Sequence, residues 1–224
     1  MHRLALFLPL VLTLAGSMAI AQDGDPPERV ARLSYVQGEV SFEPEGSTDW
    51  NSAELNRPLT TGDKLWVDRE SRAELQAGSA RINVDQGTGI SFINLDDNNL
   101  RLSLTDGTVS VEVRSLDRDE NIEVETPNAT VSLLRAGEYR ISVQDDGNAT
   151  VVGVRRGESE IAHDRQTFGL ESGQQGRFSG TSYLNADVGA IGPRSDFEAW
   201  SFGPTTASKR SAFAPAGATR EKAL

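Results

Sequence analysis

The sequence predicts an all-β protein built from many short antiparallel strands and hairpins, and three observations support this. From Arg29 to about Ser179, apolar and polar residues alternate with a period of two, which is the strand pattern. Glycine and Asp/Asn turns recur at short intervals along the same stretch. No long helical pattern interrupts it. Such hairpins suit either a twisted β-sandwich or a short β-solenoid, and the pattern leaves both open.

The first residues predict export. A short basic start, Met1 to Arg3, precedes an apolar run from Leu4 to Ala15, and Ala19-Ile20-Ala21 follows as a small-x-small motif. Residues 1–21 are therefore predicted to be a signal peptide that is cleaved after Ala21. The apolar run is shorter than the roughly 20 residues that a membrane span needs. We expect no transmembrane segment after cleavage.

Composition excludes several classes of function. The chain has 224 residues and no cysteine, which rules out thiol catalysis, disulfide exchange and thiolate metal sites. The net charge is -11, and cleavage removes Arg3 and no acid, which gives -12. A chain this acidic is repelled by phosphate backbones and anionic lipid, so we expect no nucleic-acid partner.

Four turns ending in glycine predict a strand register, because a two-residue turn accepts glycine with positive φ. The predicted opposite pairs are Leu104–Val109 and Leu102–Val111 across Asp106-Gly107, Tyr35–Val40 and Leu33–Phe42 across Gln37-Gly38, and Ile141–Val152 and Tyr139–Val154 across Asp146-Gly147. Arg156-Gly157 is predicted to place Val152 opposite Ile161. Ile141, Val152 and Ile161 would then form one row across a three-stranded meander.

The remaining elements follow from local signals. Gly62-Asp63 predicts a turn before the core residues Leu65 and Val67, and Ala73, Leu75 and Ala77 begin the next strand. Ser195 and Glu198 form a capping-box pattern, which predicts one short C-terminal helix with Phe197 and Trp200 on the side that covers the sheet. The predicted divisions are a signal peptide at 1–21, a flexible lead at 22–29, an all-β domain at 30–180, an extension with the helix at 181–202, and a disordered tail at 203–224.

Motifs for catalysis are weak throughout. His163 is the only histidine after cleavage, and it is predicted to point away from its neighbour Asp164. The clusters Asp96–Asn99 and Asp145–Asn148 are better explained as Asx-rich turns than as calcium sites. No G-x-S-x-G elbow or phosphate-binding loop occurs. We therefore predict no catalytic, cofactor-binding or metal-binding residue.

Among the aromatic residues, Trp50 is the best candidate for an exposed ring. It follows Ser47-Thr48-Asp49 in a predicted loop, whereas Trp66 and Trp200 fit core or lid packing. Trp50 is therefore the candidate ligand contact.

Three segments resemble the FecR-type periplasmic domain. They are "LTTGDKLWVDRESRAELQAGSARINV", with Gly62-Asp63 and Ser71 to Leu75, "LRLSLTDGTVSVEV", and "IEVETPNATVSLLRAGEYRISVQDDGNATVVGVRRGESEI", with Thr126 to Ala129. The resemblance covers about Val30 to Ile161 and is closer still to exported FecR-like proteins of Gram-negative bacteria. It implies an all-β module in the periplasm.

The resemblance also implies a function and its limits. Signalling members carry a cytoplasmic domain and a membrane span where this chain has a predicted signal peptide, so direct control of a sigma factor is not expected. Exported relatives often continue past "DFEAWSF", so this chain is expected to be shorter at its C-terminus. The leading hypothesis is a non-enzymatic binding, signalling or scaffold module that contacts an envelope protein through edge strands and hairpin tips. The alternative is a cell-wall or exopolysaccharide-binding domain that uses Trp50, and an enzyme of unfamiliar type is a third class.

Overall fold

A computed structural model describes residues 29–203, which form two nine-stranded β-sheets around one shared core. The all-β prediction is confirmed, as is a single short helix near the C-terminus, α1 (Asp196–Ser201). The predicted signal peptide, residues 22–28 of the lead and residues 204–224 of the tail lie outside the described residues.

The strands are numbered along the chain and fall into two sheets. Sheet 1 contains, in spatial order, β4 (Pro58–Leu59), β1 (Ala31–Gln37), β6 (Arg72–Ala77), β7 (Ala80–Val84), β10 (Thr108–Val113), β13 (Gly137–Gln144), β14 (Ala149–Arg156), β17 (Gln174–Ser179) and β18 (Asn185–Ala190). Sheet 2 contains β3 (Asn51–Ser52), β2 (Val40–Glu43), β5 (Lys64–Val67), β8 (Thr88–Leu95), β9 (Asn99–Asp106), β11 (Asn121–Thr126), β12 (Ala129–Leu133), β15 (Glu158–His163) and β16 (Gln166–Glu171).

Both sheets grow in nearly the same order as the chain. Strands near the N-terminus lie at the β3/β4 end, and later strands are added toward the β16/β18 end, with hairpins alternating between the sheets. Among the described strands, neighbours pair antiparallel except for β9 and β11, which are parallel. The architecture is therefore a sandwich of two open sheets whose strands advance along one axis, as they do in a solenoid.

The predicted core residues are buried. Leu65 and Val67 lie on β5, and Ala73, Leu75 and Ala77 lie on β6, each at most 1% exposed. Alternation therefore identified the inward face correctly on both strands.

The predicted turn at Gly62-Asp63 is also confirmed. Gly62 has φ +89°, which glycine adopts without strain. The Asp63 carboxylate accepts hydrogen bonds from the backbone N–H groups of Glu45 and Thr60, both at 2.9 Å. This carboxylate ties the turn to the preceding loops.

One of the four predicted hairpins is confirmed. β13 and β14 pair with Ile141 opposite Val152 and Tyr139 opposite Val154, joined by the turn at Asp145–Gly147. Here the turn and the alternation specify the same register.

The other three predicted hairpins are wrong. At Gly38, Gly107 and Gly157 the chain crosses from one sheet to the other instead of folding back beside itself. The contradicted pairs are Tyr35–Val40, Leu33–Phe42, Leu104–Val109, Leu102–Val111 and Val152–Ile161. Ile141 and Val152 are neighbours in sheet 1, whereas Ile161 lies in sheet 2, so the predicted row of three is wrong, although all three residues are fully buried in the core.

Sheet crossing at these glycines has a steric basis. Gly107 alone separates β9 from β10 and has φ +84°, and a Cβ there would lie 2.6 Å from the Gly87 carbonyl oxygen. At Gly157, φ is +105° and a Cβ would lie 2.1 Å from the Tyr139 hydroxyl. Each corner therefore requires glycine. Apolar alternation continues through the corner because the inner faces of both sheets share one core, so it does not distinguish a corner from a hairpin.

Candidate functional site

The C-terminal helix begins with the predicted capping box. The Ser195 hydroxyl accepts a hydrogen bond from the Glu198 N–H at 3.2 Å, and the Glu198 carboxylate accepts one from the Ser195 N–H at 3.0 Å. These reciprocal bonds satisfy two donors that a helix N-terminus leaves unpaired. They let α1 form although it has only six residues.

The aromatic side of α1 packs on the outer face of sheet 1, as predicted. The Phe197 and Trp200 rings stack with centroids 5.9 Å apart, and Trp200 lies 5.6 Å from Tyr35 on β1. The Arg72 guanidinium on β6 lies 5.2 Å from the Trp200 ring centroid, within cation–π range. These contacts position α1 across the sheet and away from the edge formed by β18.

A buried carboxylate holds the other side of α1. Glu198 has no exposed side-chain surface, and it accepts hydrogen bonds from Arg155 Nε at 2.9 Å and Nη2 at 3.1 Å. Arg140 Nη1 lies 3.6 Å away. Burial alone would raise the pKa of Glu198, but the bonds from Arg155 and Ser195 and the charges of Arg140 and Arg155 together hold it below its usual value.

An open trough lies on the outer face of sheet 1, between α1 and the edge strand β18. One row of opposite residues crosses it, Arg140 on β13, Gly153 on β14, Gln175 on β17 and Gly189 on β18. The trough has a volume of about 420 Å³, and Arg177 and Gln144 also line it. Gly153 is covered by the Ile191 side chain, whereas a Cβ placed on Gly189 would meet no atom within 4 Å, so the trough is open above β18.

The strand β18 presents a free edge. All six of its residues are exposed, and it pairs only with β17 among the described strands. The Ile191 N–H donates to the Gly173 carbonyl at 2.8 Å, and inward and outward hydrogen-bonding positions alternate along an antiparallel strand. The odd-numbered residues of β18 therefore bond β17, while Ala186, Val188 and Ala190 direct their N–H and C=O groups away from the sheet.

The other three sheet edges are protected. β3 and β4 have two residues each, and β4 begins with Pro58, which has no N–H. Along β16, the Gln166 side chain bonds both the N–H and the C=O of Leu184, and the Glu171 N–H donates to the Gln174 side chain at 2.8 Å. Natural sheets usually protect their edges in such ways. Within residues 29–203, no strand pairs with the outer side of β18 and no loop or side chain bonds its outward backbone groups.

Sequence reasoning missed this edge. The segment Asn185–Ala190 reads Asn-Ala-Asp-Val-Gly-Ala, which lacks apolar alternation and is poor in strand-forming residues. Only backbone pairing with β17 makes it a strand, so no side-chain signal in the sequence could have identified it.

The candidate ligand contact Trp50 lies elsewhere. Its side chain is 47% exposed and it directly precedes β3, at the opposite end of the sandwich from β18. The structure therefore does not bring Trp50 together with the trough. Its role as a ligand contact stays a prediction.

The Thr126-Pro127-Asn128-Ala129 motif serves the architecture. Asn128 is 2% exposed, and its Nδ2 donates to the carbonyl oxygens of Asn148 at 3.3 Å and of Phe178 and Gly180 at 3.1 Å. The Thr150 hydroxyl donates to Asn128 Oδ1 at 2.6 Å. One amide thus connects the β11–β12 turn in sheet 2 to strand ends in sheet 1.

The structure also shows how the polar clusters noted in the sequence are arranged. Asp96 Oδ1 accepts bonds from the Asn98 and Asn99 N–H groups at 2.9 and 2.8 Å, as expected for an Asx-rich turn. Within residues 29–203, no group of three or more acidic or histidine side chains is arranged to hold a metal ion.

The expectation that His163 and Asp164 point apart is wrong. Asp164 has φ +48°, and the two side chains approach to 3.8 Å.

At six residues, α1 is far too short to cross a membrane, and the described part of the chain offers no other helical candidate.

Comparison with known proteins gives a family match and similar solved structures. The model of the FecR family, described as FecR protein, matches residues 63–160. Two crystal structures of a candidate anti-sigma factor from Parabacteroides distasonis ATCC 8503 are similar, each with a TM-score of 0.49, at 14% and 13% sequence identity. Each similarity covers 57% of this chain and 59% of the crystallised chain. No curated protein matches the sequence.

The family match falls inside the stretch whose motifs resemble FecR proteins, so that resemblance is confirmed. Over residues 63–160, this chain is similar to FecR proteins.

Proposed function

We propose that this protein is a non-enzymatic FecR-like binding and signalling module that works in the periplasm and contacts a protein partner of the cell envelope. The similarity to FecR proteins over residues 63–160 supports a regulatory role over a catalytic one. The unprotected edge of β18 supports a protein partner, because free N–H and C=O groups in a row can pair with an extended segment. Export through residues 1–21 stays part of this proposal.

The proposed contact is β-augmentation, in which a partner segment adds a strand beside β18. Ala186, Val188 and Ala190 supply the outward N–H and C=O groups for the new ladder. Because these groups make no hydrogen bond to another described residue, a partner can pair with them without breaking the β17–β18 pairing. Main-chain bonds of this kind supply affinity in known strand-addition complexes.

The substitution Val188→Pro tests this mode. Proline removes one outward N–H and is tolerated on sheet edges, so the β17–β18 ladder should remain. Val188→Thr is the matched control, since it changes the side chain and keeps the N–H. Tagged mature protein is used to capture partners from a periplasmic extract, and quantitative mass spectrometry compares the three forms.

We expect at least one protein to be captured by the wild type and by Val188→Thr and to be lost with Val188→Pro. Thermal unfolding should show that both variants remain folded. A set of captured proteins that is identical for all three forms would refute the proposed edge.

Polymer binding through Trp50 is the second candidate function, and the half-exposed ring favours it. If the ring stacks on sugars of the cell wall, Trp50→Ala should abolish co-sedimentation with purified peptidoglycan while changing the free energy of unfolding by less than about 0.5 kcal/mol. Wild-type protein that stays in the supernatant would dismiss this function.

A further inference from the structure

We propose that the strand added to β18 carries a glutamate opposite Gly189, and that Arg140 receives its carboxylate in the trough. This inference rests on the proposed function, and it names the side-chain chemistry of the partner. It concerns the outer face of sheet 1, where the trough opens beside the edge of β18.

The register places the partner residue. Gly189 bonds inward to β17, so a strand added antiparallel to β18 meets Gly189 at a non-hydrogen-bonded position, with Cα atoms about 4.5 Å apart. Residues directly opposite each other in a sheet project to the same face. The new side chain therefore continues the row of Arg140, Gly153, Gln175 and Gly189 on the outer face.

The side chain of the added strand has space because the residue opposite it, Gly189, has no side chain. A Cβ placed on Gly189 meets no atom within 4 Å, so the volume above it is open. A long side chain from the added strand can therefore lie above Gly189 and extend toward Gln175.

The positive charge of Arg140 favours a carboxylate on the side chain that enters this space. Arg140 Nη2 donates to the Gln175 side chain at 2.6 Å, which places the guanidinium on β17 beside the trough. Arg140 Nη1 is 3.6 Å from Glu198, beyond hydrogen-bonding distance, and 21% of the Arg140 side chain is exposed. Arg140 thus has donors left for a second acceptor, and arginine binds carboxylates well. The positive charge of Arg140 at this site contrasts with the net charge of -11 of the whole chain.

Asp187 determines which residue types the partner strand can carry at the position opposite it. It lines the same trough two residues before Gly189, so a carboxylate directly opposite it is disfavoured. Because the added strand runs antiparallel, its residue opposite Asp187 comes two positions after the one opposite Gly189. The partner segment therefore has glutamate followed, two residues later, by lysine, arginine or a neutral residue.

The test uses three synthetic seven-residue β-forming peptides with a fluorescent label. The first has glutamate at the centre and lysine two residues later, the second has glutamine in place of glutamate, and the third exchanges the glutamate and the lysine. Fluorescence anisotropy measures their binding to the mature protein, and to its Gly189→Gln, Gly169→Gln and Val188→Pro variants. Gly169 on β16 is the matched control, because a Cβ there also meets no atom within 4 Å but lies outside the trough.

We expect the wild type and Gly169→Gln to bind the first peptide up to about fivefold more tightly than the second, as an opposite-charge cross-strand pair allows. The third peptide should bind most weakly. Gly189→Gln fills the trough with its own side chain, so its preference for glutamate should disappear while it still binds. Val188→Pro should bind none of the peptides.

The outcomes separate this inference from the proposed function. Equal affinity of the wild type for the first two peptides, with binding lost in Val188→Pro, would overturn the glutamate assignment and leave strand addition standing. Binding that is unaffected by Val188→Pro, or no binding of any peptide, would overturn both.

Discussion

The substitution Asn128→Ala is expected to lower the free energy of unfolding by about 3 kcal/mol, because it leaves several buried polar groups without partners. Asn128 Nδ2 is a donor to the carbonyl oxygens of Asn148, Phe178 and Gly180, and its Oδ1 accepts from the Thr150 hydroxyl. Alanine restores none of these bonds. Equilibrium unfolding in urea with linear extrapolation measures the change.

Asn98→Ala is the control for that measurement. Asn98 is exposed in the turn between β8 and β9, so its replacement should change the free energy of unfolding by less than about 0.5 kcal/mol. Equal stability of the two variants would show that Asn128 does not connect the sheets as described.

The substitution Glu198→Ala is expected to release α1 from sheet 1, at a cost of about 3 kcal/mol in docking free energy, since it leaves Arg155 and Arg140 without their buried counter-charge. Hydrogen exchange read by mass spectrometry should show faster exchange in 191–203 and unchanged protection in β8 and β9. Asp196→Ala, an exposed change in the same helix, should leave exchange almost unaltered. If residues 191–203 in Glu198→Ala stay fully protected from hydrogen exchange, Glu198 does not dock α1 on sheet 1 as proposed.

The same contact predicts a dependence on pH. Burial acts to raise the pKa of Glu198, but the hydrogen bonds and charges around it outweigh burial and lower the pKa below the ordinary value of 4.5. A depressed pKa in the folded state stabilises docking above pH 4.5, and this contribution is lost as the pH falls through the folded-state pKa. The Trp200 indole NMR signal should therefore stay constant above pH 4.5 and move only as the pH falls below it. A signal that moves only above pH 5 would exclude Glu198 as the titrating group.

Local signals in the sequence predicted those elements that depend on short-range chemistry. The capping box at Ser195 and Glu198 forms as expected, because both of its hydrogen bonds lie within one helical turn. The β13–β14 hairpin also forms in the predicted register. The burial of Leu65, Val67 and the apolar face of β6 follows from alternation alone.

The candidate binding edge could not be predicted in the same way. β18 carries six exposed residues with no apolar periodicity, and its partner β17 is needed to make it a strand. The trough beside it combines Arg140 on β13 with Gln175 and Gly189 on β17 and β18. Nothing local in the chain indicates that these residues share one row.

The sequence by itself determined that the chain is all-β, which side chains turn inward, where the polypeptide bends at glycine, and that it resembles FecR proteins. Only the tertiary structure decided that Gly38, Gly107 and Gly157 are corners between sheets and that Gly147 closes a hairpin. The reason is that a corner and a hairpin both keep apolar residues in the same core, so local alternation satisfies either. The choice depends on which distant strands complete the backbone hydrogen bonds of each segment.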